Sequence, residues 1–173
     1  MKKQIFLKWF ILSLAIAINL FILIQAFING EASAKESNSI AKTTADVVNT
    51  IKPETITEQN FDVFAYSLRK LIGHFGCFVL SGVFSTWSFV LFLKDKKVGY
   101  IFYQLLFIFS FGILIAFLSE FIQLFISGRT FKFGDVGIDL AGYFIGDFLV
   151  ILVLFLKKHK IFSKQNYMKK QVD

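Results

Sequence analysis

From Trp9 to Ile28 the chain runs 20 residues without a charge. Three more long apolar runs follow: Leu71 to Leu93, Val98 to Ile126 and Val136 to Leu156. About 20 apolar residues in a helix cross the hydrocarbon core of a bilayer. Within that core every backbone polar group must be satisfied internally, which leaves helices or closed barrels. These runs are continuous and lack the alternation of a barrel strand. The pattern therefore predicts an all-α integral membrane protein, a four-transmembrane-helix bundle. Composition agrees, because 55% hydrophobic residues, 24 Phe and a mean hydropathy of +0.64 exceed what a soluble domain of 173 residues can hide. The net charge of +7 does not indicate nucleic acid, since the basic residues gather at the ends of the apolar runs. Cys77 is the single cysteine, which excludes a disulfide framework and a cysteine-based metal site. Inside an apolar run it reads as a small buried hydrophobe.

Four segments follow: 1–28, a basic flank and first helix; 29–70, an amphipathic extracellular loop; 71–156, a core of three membrane helices; and 157–173, a basic tail. Lys2, Lys3 and Lys8, then Lys94, Lys96 and Lys97, then Lys157, Lys158, Lys160, Lys164, Lys169 and Lys170 alternate so as to share one side. They make up 12 of the 19 basic residues, and the positive-inside rule sets that side and both termini in the cytoplasm. Ala32-Ser33-Ala34 fits a secretory cleavage site, but a 20-residue apolar stretch is longer than a usual signal core and favours an uncleaved helix. In the loop, Ile40, Val47, Val48 and Ile51 fall on one helical face, Pro53 ends that helix, and Thr57 is placed to cap the next. The loop reads as a connector on the headgroups, or as a lid over the polar site.

That site comes from charges placed against the apolar runs. A charge at membrane depth costs about 3 kcal/mol on insertion scales. Glu120 lies 22 residues into the third helix, and Gln123 follows at i+3 on the same face. Gly128-Arg129 makes the next turn, and Asp135 and Asp139 stand at i and i+4 at the start of the fourth helix. Arg69 and His74 enter the second helix at the same level. A polar cluster of Arg69, His74, Glu120, Gln123, Arg129, Asp135 and Asp139 is therefore expected at the extracellular boundary, with a carboxylate within about 4 Å of a guanidinium. Purely structural readings stand beside it: Glu120 with Arg129, or Arg129 with Asp135, as ion pairs closing the turn; Arg69 and Lys70 as snorkelling anchors; His74 as a neutral interhelical hydrogen-bonding group; Lys132 as a solvated loop charge. Gly142 and Gly146 continue the face of Asp139 and allow close helix packing. Asp147 lies deeper and off that face, facing a cytoplasmic lysine or a second polar contact.

Taken in order, Arg69-Lys70-Leu-Ile-Gly-His74, Glu120-x-x-Gln123, Gly128-Arg129, Asp135 and Asp139-x-x-Gly142 resemble the VanZ-like family of bacterial membrane proteins, over roughly residues 60 to 156. The commonest family form has Asn where this chain has Asp139. The resemblance implies a place in the cell envelope and a contribution to resistance against teicoplanin, a lipoglycopeptide; it implies no reaction.

Three readings of the site follow. In the first, Arg129, Arg69 and His74 bind the anionic headgroup of a membrane lipid or lipid-linked cell-wall precursor, or a lipoglycopeptide, with the carboxylates orienting them. In the second, the chain is an enzyme on such a lipid, with His74 or Glu120 as general acid or base. In the third, the carboxylates relay protons for transport. No nucleophile or metal motif stands out, so the expectation is no metal and no cofactor, although a His/Glu/Asp site is geometrically conceivable.

Overall fold

The computed structural model describes residues 2–93 and 98–169. Among them there is no strand. Helix α1 spans Lys2–Ala26 and α2 spans Gly30–Ile51. Helix α3, Phe61–Arg69, passes through a π-helical segment, Lys70–Gly76, into α4, Cys77–Phe92, as one continuous rod. Helix α5 spans Val98–Gln123 and α6 spans Phe133–Lys169. Four stretches are long and apolar enough to cross a bilayer: Lys2–Ala26, Phe61–Phe92, Phe102–Gln123 and Phe133–Lys157. The chain is a multi-pass membrane protein. Lys94, Lys96, Lys97 and Lys170 of the charge pattern lie outside the described residues.

The bundle has its polar groups inside and its large apolar side chains outside. Phe102, Phe125, Phe148, Phe155 and many Leu and Ile side chains are exposed around its girth, as lipid contact requires. Buried instead are Asn19, Ser81, Ser85, Thr86, Ser119, Glu120, Gln123, Asp139 and Asp147. Asn19 ties α1 to α4, donating to Ser85 Oγ at 3.0 Å and accepting from Ser81 Oγ at 2.8 Å. Asp147 accepts a hydrogen bond from Thr86 and meets no lysine among the described residues. Its partner is therefore an interhelical hydroxyl. A compact apolar core of Ile22, Phe78, Ile108, Ile115, Ala116 and Tyr143 lies between the polar layers.

Helices α4 and α6 pack most closely. Gly142 and Gly146 sit where the α4 backbone passes: a Cβ on Gly146 would stand 2.7 Å from Val83 N and 3.0 Å from Gly82 Cα. Without a hydrophobic driving force between helices in lipid, such small-residue contact supplies the dispersion that holds them together.

Helix α2 ends at Ile51, before Pro53, and Ile40, Val47 and Ile51 share its exposed face, while Ser33, Ala41 and Ala45 point inward. The small face lets α2 lie close, and the apolar face is left for other surroundings. One local expectation needs correction: Thr57 does not cap α3. Asn60 occupies the cap position and folds the turn instead, accepting from Thr57 N at 2.8 Å and donating to Thr55 O at 3.0 Å. Its amide offers an oxygen acceptor and an NH2 donor at one tip, so one side chain ties both backbone groups.

Replacing Gly146 with leucine should force α4 and α6 apart. Overpacking of this kind costs about 1–3 kcal/mol. Thermal unfolding of the purified protein in detergent should show a lower midpoint, while Gly134→Leu, at a position with open space around it, should leave the midpoint near that of the parent.

Candidate functional site

Two helical segments carry polar groups one turn apart, and they face each other. Lys70 and His74 stand at i and i+4 on the π segment, and Asp135 and Asp139 have the same spacing at the start of α6. Lys70 pairs with Asp135. His74 Nδ1 lies 3.0 Å from Asp139 Oδ1 in a hydrogen bond. The other ring nitrogen, Nε2, stands 3.9 Å from Asp135 Oδ2, too long for a hydrogen bond. The π segment itself was not foreseen. It closes with Cys77 N donating to Ile72 O, the i−5 pattern. Such segments are rare and occur frequently at functional sites. Gly73 and Gly76 inside it were the available signal, since they remove side chains from a widened turn.

Glu120 arrives from α5 and is fully buried. Its Oε1 accepts from Gln123 Nε2 at 2.6 Å, and its Oε2 accepts from the backbone N–H of Lys132 at 3.3 Å. Lys132 contributes this amide while its side chain stays exposed. His74 Nδ1 is 3.9 Å from Glu120 Oε1. Asp139 is 1% exposed, and its Oδ2 has no hydrogen-bond partner among the described residues.

Arg129 differs from expectation. Its Nε donates to Ile28 O at 3.2 Å, its Nη2 to Gln25 O at 3.3 Å and its Nη1 to Gln123 Oε1 at 3.1 Å. No carboxylate lies within 4.0 Å of Arg129 or Arg69 among the described residues, so the predicted guanidinium–carboxylate contact is not made. The physical reason is the end of α1. Terminal helix carbonyls lack intrahelical donors, and a cation there also meets the negative end of the helix dipole. Arg129 serves that end and touches Glu120 only through Gln123. The turn that aims it depends on Gly128, with φ of +72°, and on Gly30 N donating to Ser127 O at 3.0 Å, which fastens the start of α2 to the same turn. Burial lowers the Arg129 pKa from its ordinary value, the Arg69 charge pushes the same way, and Glu120 opposes both. The guanidinium nevertheless stays charged.

Arg69 is half-buried and makes no hydrogen bond or ion pair among the described residues. It faces a cavity of about 210 Å³ shared with His74, Glu120, Gln123, Arg129 and Asp139. Six of the seven predicted residues thus line one space. Asp135 stands behind it, holding Lys70 and facing His74. The opposite wall is apolar, with Phe21, Ile22, Ile72 and Phe78, and α2 closes one side with Ser33, Glu36 and Ser37. Helix α2 therefore forms part of the cavity wall. Sequence reasoning missed Lys70 as a partner, although its spacing to His74 repeats that of Asp135 to Asp139. It also missed the α1 carbonyls, which leave no mark in side-chain chemistry.

The Lys70–Asp135 pair is open to a double-mutant cycle. Lys70→Met strands a carboxylate, and Asp135→Leu strands an ammonium. The double variant should unfold closer to the parent than the two single losses add up to, with coupling of roughly 0.5–3 kcal/mol. Additive losses in thermal or denaturant unfolding would show that the pair contributes nothing.

No curated protein and no solved structure matches the chain. The VanZ/LLP1 family model matches residues 9–156, which includes α1 and α2 as well as the three helices that carry the polar groups, and the chain belongs to that family.

Proposed function

We propose that this VanZ-like protein binds the anionic headgroup of a membrane lipid or lipid-linked cell-wall intermediate from the extracellular leaflet, and thereby lowers sensitivity to teicoplanin-type lipoglycopeptides. The observation that carries the reading is Arg69, a guanidinium without a protein partner among the described residues, facing a cavity also lined by Arg129. A planar fork gives phosphate two parallel charge-assisted bonds, and here it is available to a ligand. The extracellular orientation rests on the 12 basic residues that flank the helices on the opposite side. The size of the cavity supports a headgroup over the drug itself. About 210 Å³ falls below the roughly 300–1,000 Å³ of sites that enclose drug-sized ligands. Phe21, Ile22 and Ile72 offer an apolar wall to the first part of an acyl or prenyl chain.

A second reading, an enzyme acting on such a lipid, is favoured by one specific feature. His74 Nδ1 stands 3.0 Å from Asp139 and 3.9 Å from Glu120, an arrangement able to move a proton. Lipid extracts incubated with the pure protein would change composition under this reading, and Glu120→Gln would stop the change. Unchanged lipid with retained drug protection speaks for binding.

Arg69→Ala and Arg69→Lys test the binding reading. Hydrogen bonds to charged groups contribute about 1.5–3 kcal/mol, so loss of the fork should weaken binding of phosphatidylglycerol roughly 10- to 150-fold. Binding is measured by native mass spectrometry, with phosphatidylcholine as the uncharged control. Drug protection in cells should fall in parallel at equal membrane expression. Arg69→Ala with full lipid binding and full protection would sink the reading. An external protease that removes the C-terminal tail in intact cells would overturn the orientation.

A further inference from the structure

His74, Glu120 and Asp139 arrive on three different helical segments, and one donor atom from each falls within 4.8 Å of the others. Glu120 is fully buried and Asp139 nearly so. Asp139 lines the cavity and keeps one oxygen, Oδ2, without a partner among the described residues. An unsatisfied buried acceptor costs about 1–3 kcal/mol, more when charged. As metal ligands, a neutral imidazole and two ionised carboxylates would present a charge of −2 that a divalent cation offsets, and the unpartnered Asp139 Oδ2 marks where the site lacks a partner.

We propose that His74, Glu120 and Asp139 bind a divalent transition-metal cation of the zinc or manganese class, with an open coordination position toward the cavity. Bonds of about 2.0–2.2 Å in tetrahedral array put neighbouring ligand atoms roughly 3.3–3.5 Å apart. The observed 3.0 Å from His74 Nδ1 to Asp139 Oδ1 and 3.9 Å to Glu120 Oε1 bracket that spacing. One nitrogen and two oxygens suit zinc or manganese, and no thiolate in the set draws copper(I) or an iron–sulfur cluster. The surroundings are those of a metal's outer shell, in which a ligating histidine offers its second nitrogen to a carboxylate and ligating carboxylates are themselves hydrogen-bonded. His74 Nε2 faces Asp135, itself paired with Lys70. Gln123 and the Lys132 amide hold Glu120. The sequence alone gave no metal motif because the three ligands are 46 and 19 residues apart.

The ion also alters the charge of the cavity. Arg69 and Arg129 carry two positive charges against Glu36, Glu120 and Asp139, and Lys70 and Asp135 behind them offset each other. The cavity's formal charge is −1 without the cation and +1 with it. An anion would then meet the open metal position and Arg69 together. The cation site does not depend on the lipid reading, and its test uses no lipid.

Purified full chain in detergent is stripped with a chelator and dialysed against zinc, and separately against manganese, with bound metal measured by elemental analysis. The parent should hold one ion per chain and melt at higher temperature with it. His74→Gln and Asp139→Asn should each lower affinity at least 10-fold, while Asp46→Asn, an exposed carboxylate on α2, keeps it. Cobalt-loaded parent protein should show d–d absorption of nitrogen and oxygen ligation, so the test stands on the parent even if a variant fails to fold. A parent that takes up neither ion overturns the proposal. So do folded His74→Gln and Asp139→Asn proteins that take up as much as the parent. Phosphatidylglycerol binding by a protein that takes up no ion would overturn the cation site and leave the lipid reading standing. Ion uptake without lipid binding would uphold the site and remove that reading.

Discussion

A carboxylate taken into a lipid-facing bundle must meet a cation or a donor, and in this chain that demand sets the geometry of one whole end. Asp135 and Asp139 stand one turn apart on α6, and Lys70 and His74 stand one turn apart on the facing segment. Neither pair can slide by a residue without exposing a charge to hydrocarbon, so the register of the two helices is fixed at this rung. The close glycine contacts of α4 and α6 lie just beyond it and depend on that register. Glu120 is then enclosed by elements already held in place.

Arg129 does for α1 and α2 what the rung does for α4 and α6. It reaches the Gln25 carbonyl in the last turn of α1 and the Ile28 carbonyl just past it, binds Gln123 of α5, and leaves a turn whose glycine touches the start of α2. Side chain and turn together tie α1, α5 and the start of α2 at this end. The role of Arg129 is architectural first. The guanidinium left available to an anion is then that of Arg69. The distinction depends on backbone carbonyls, and only coordinates reveal where they point.

Much of the fold could be read in the sequence because lipid imposes a length on each helix. The four spans, the outlying segment between the first two, and the stop before Pro53 all follow from run length and one breaker. The polar cluster was equally legible, since depth along a helix can be counted at about 1.5 Å per residue. What could not be read was rotation. Helix α2 turns its small residues Ser33, Ala41 and Ala45 inward, and its start comes close to the Gly128 turn, while Ile40, Val47 and Ile51 stay on the exposed face. Arg129 was assigned a carboxylate because opposite charges invite pairing on paper, whereas a helix end competes for the same donors.

The π-helical segment at Lys70–Gly76 has a consequence for how this protein can change without losing its shape. A π turn is an α-helix carrying extra residues, and each residue added or removed rotates everything before it by about 100°. Loss of one residue between Leu71 and Gly73 would keep His74 on Asp139 and α4 on the glycines of α6, but would swing Arg69 and Lys70 to a new bearing and break the Lys70–Asp135 pair. The segment is thus an indexing joint, at which a single codon can re-aim Arg69 in the cavity at the expense of one half of the rung.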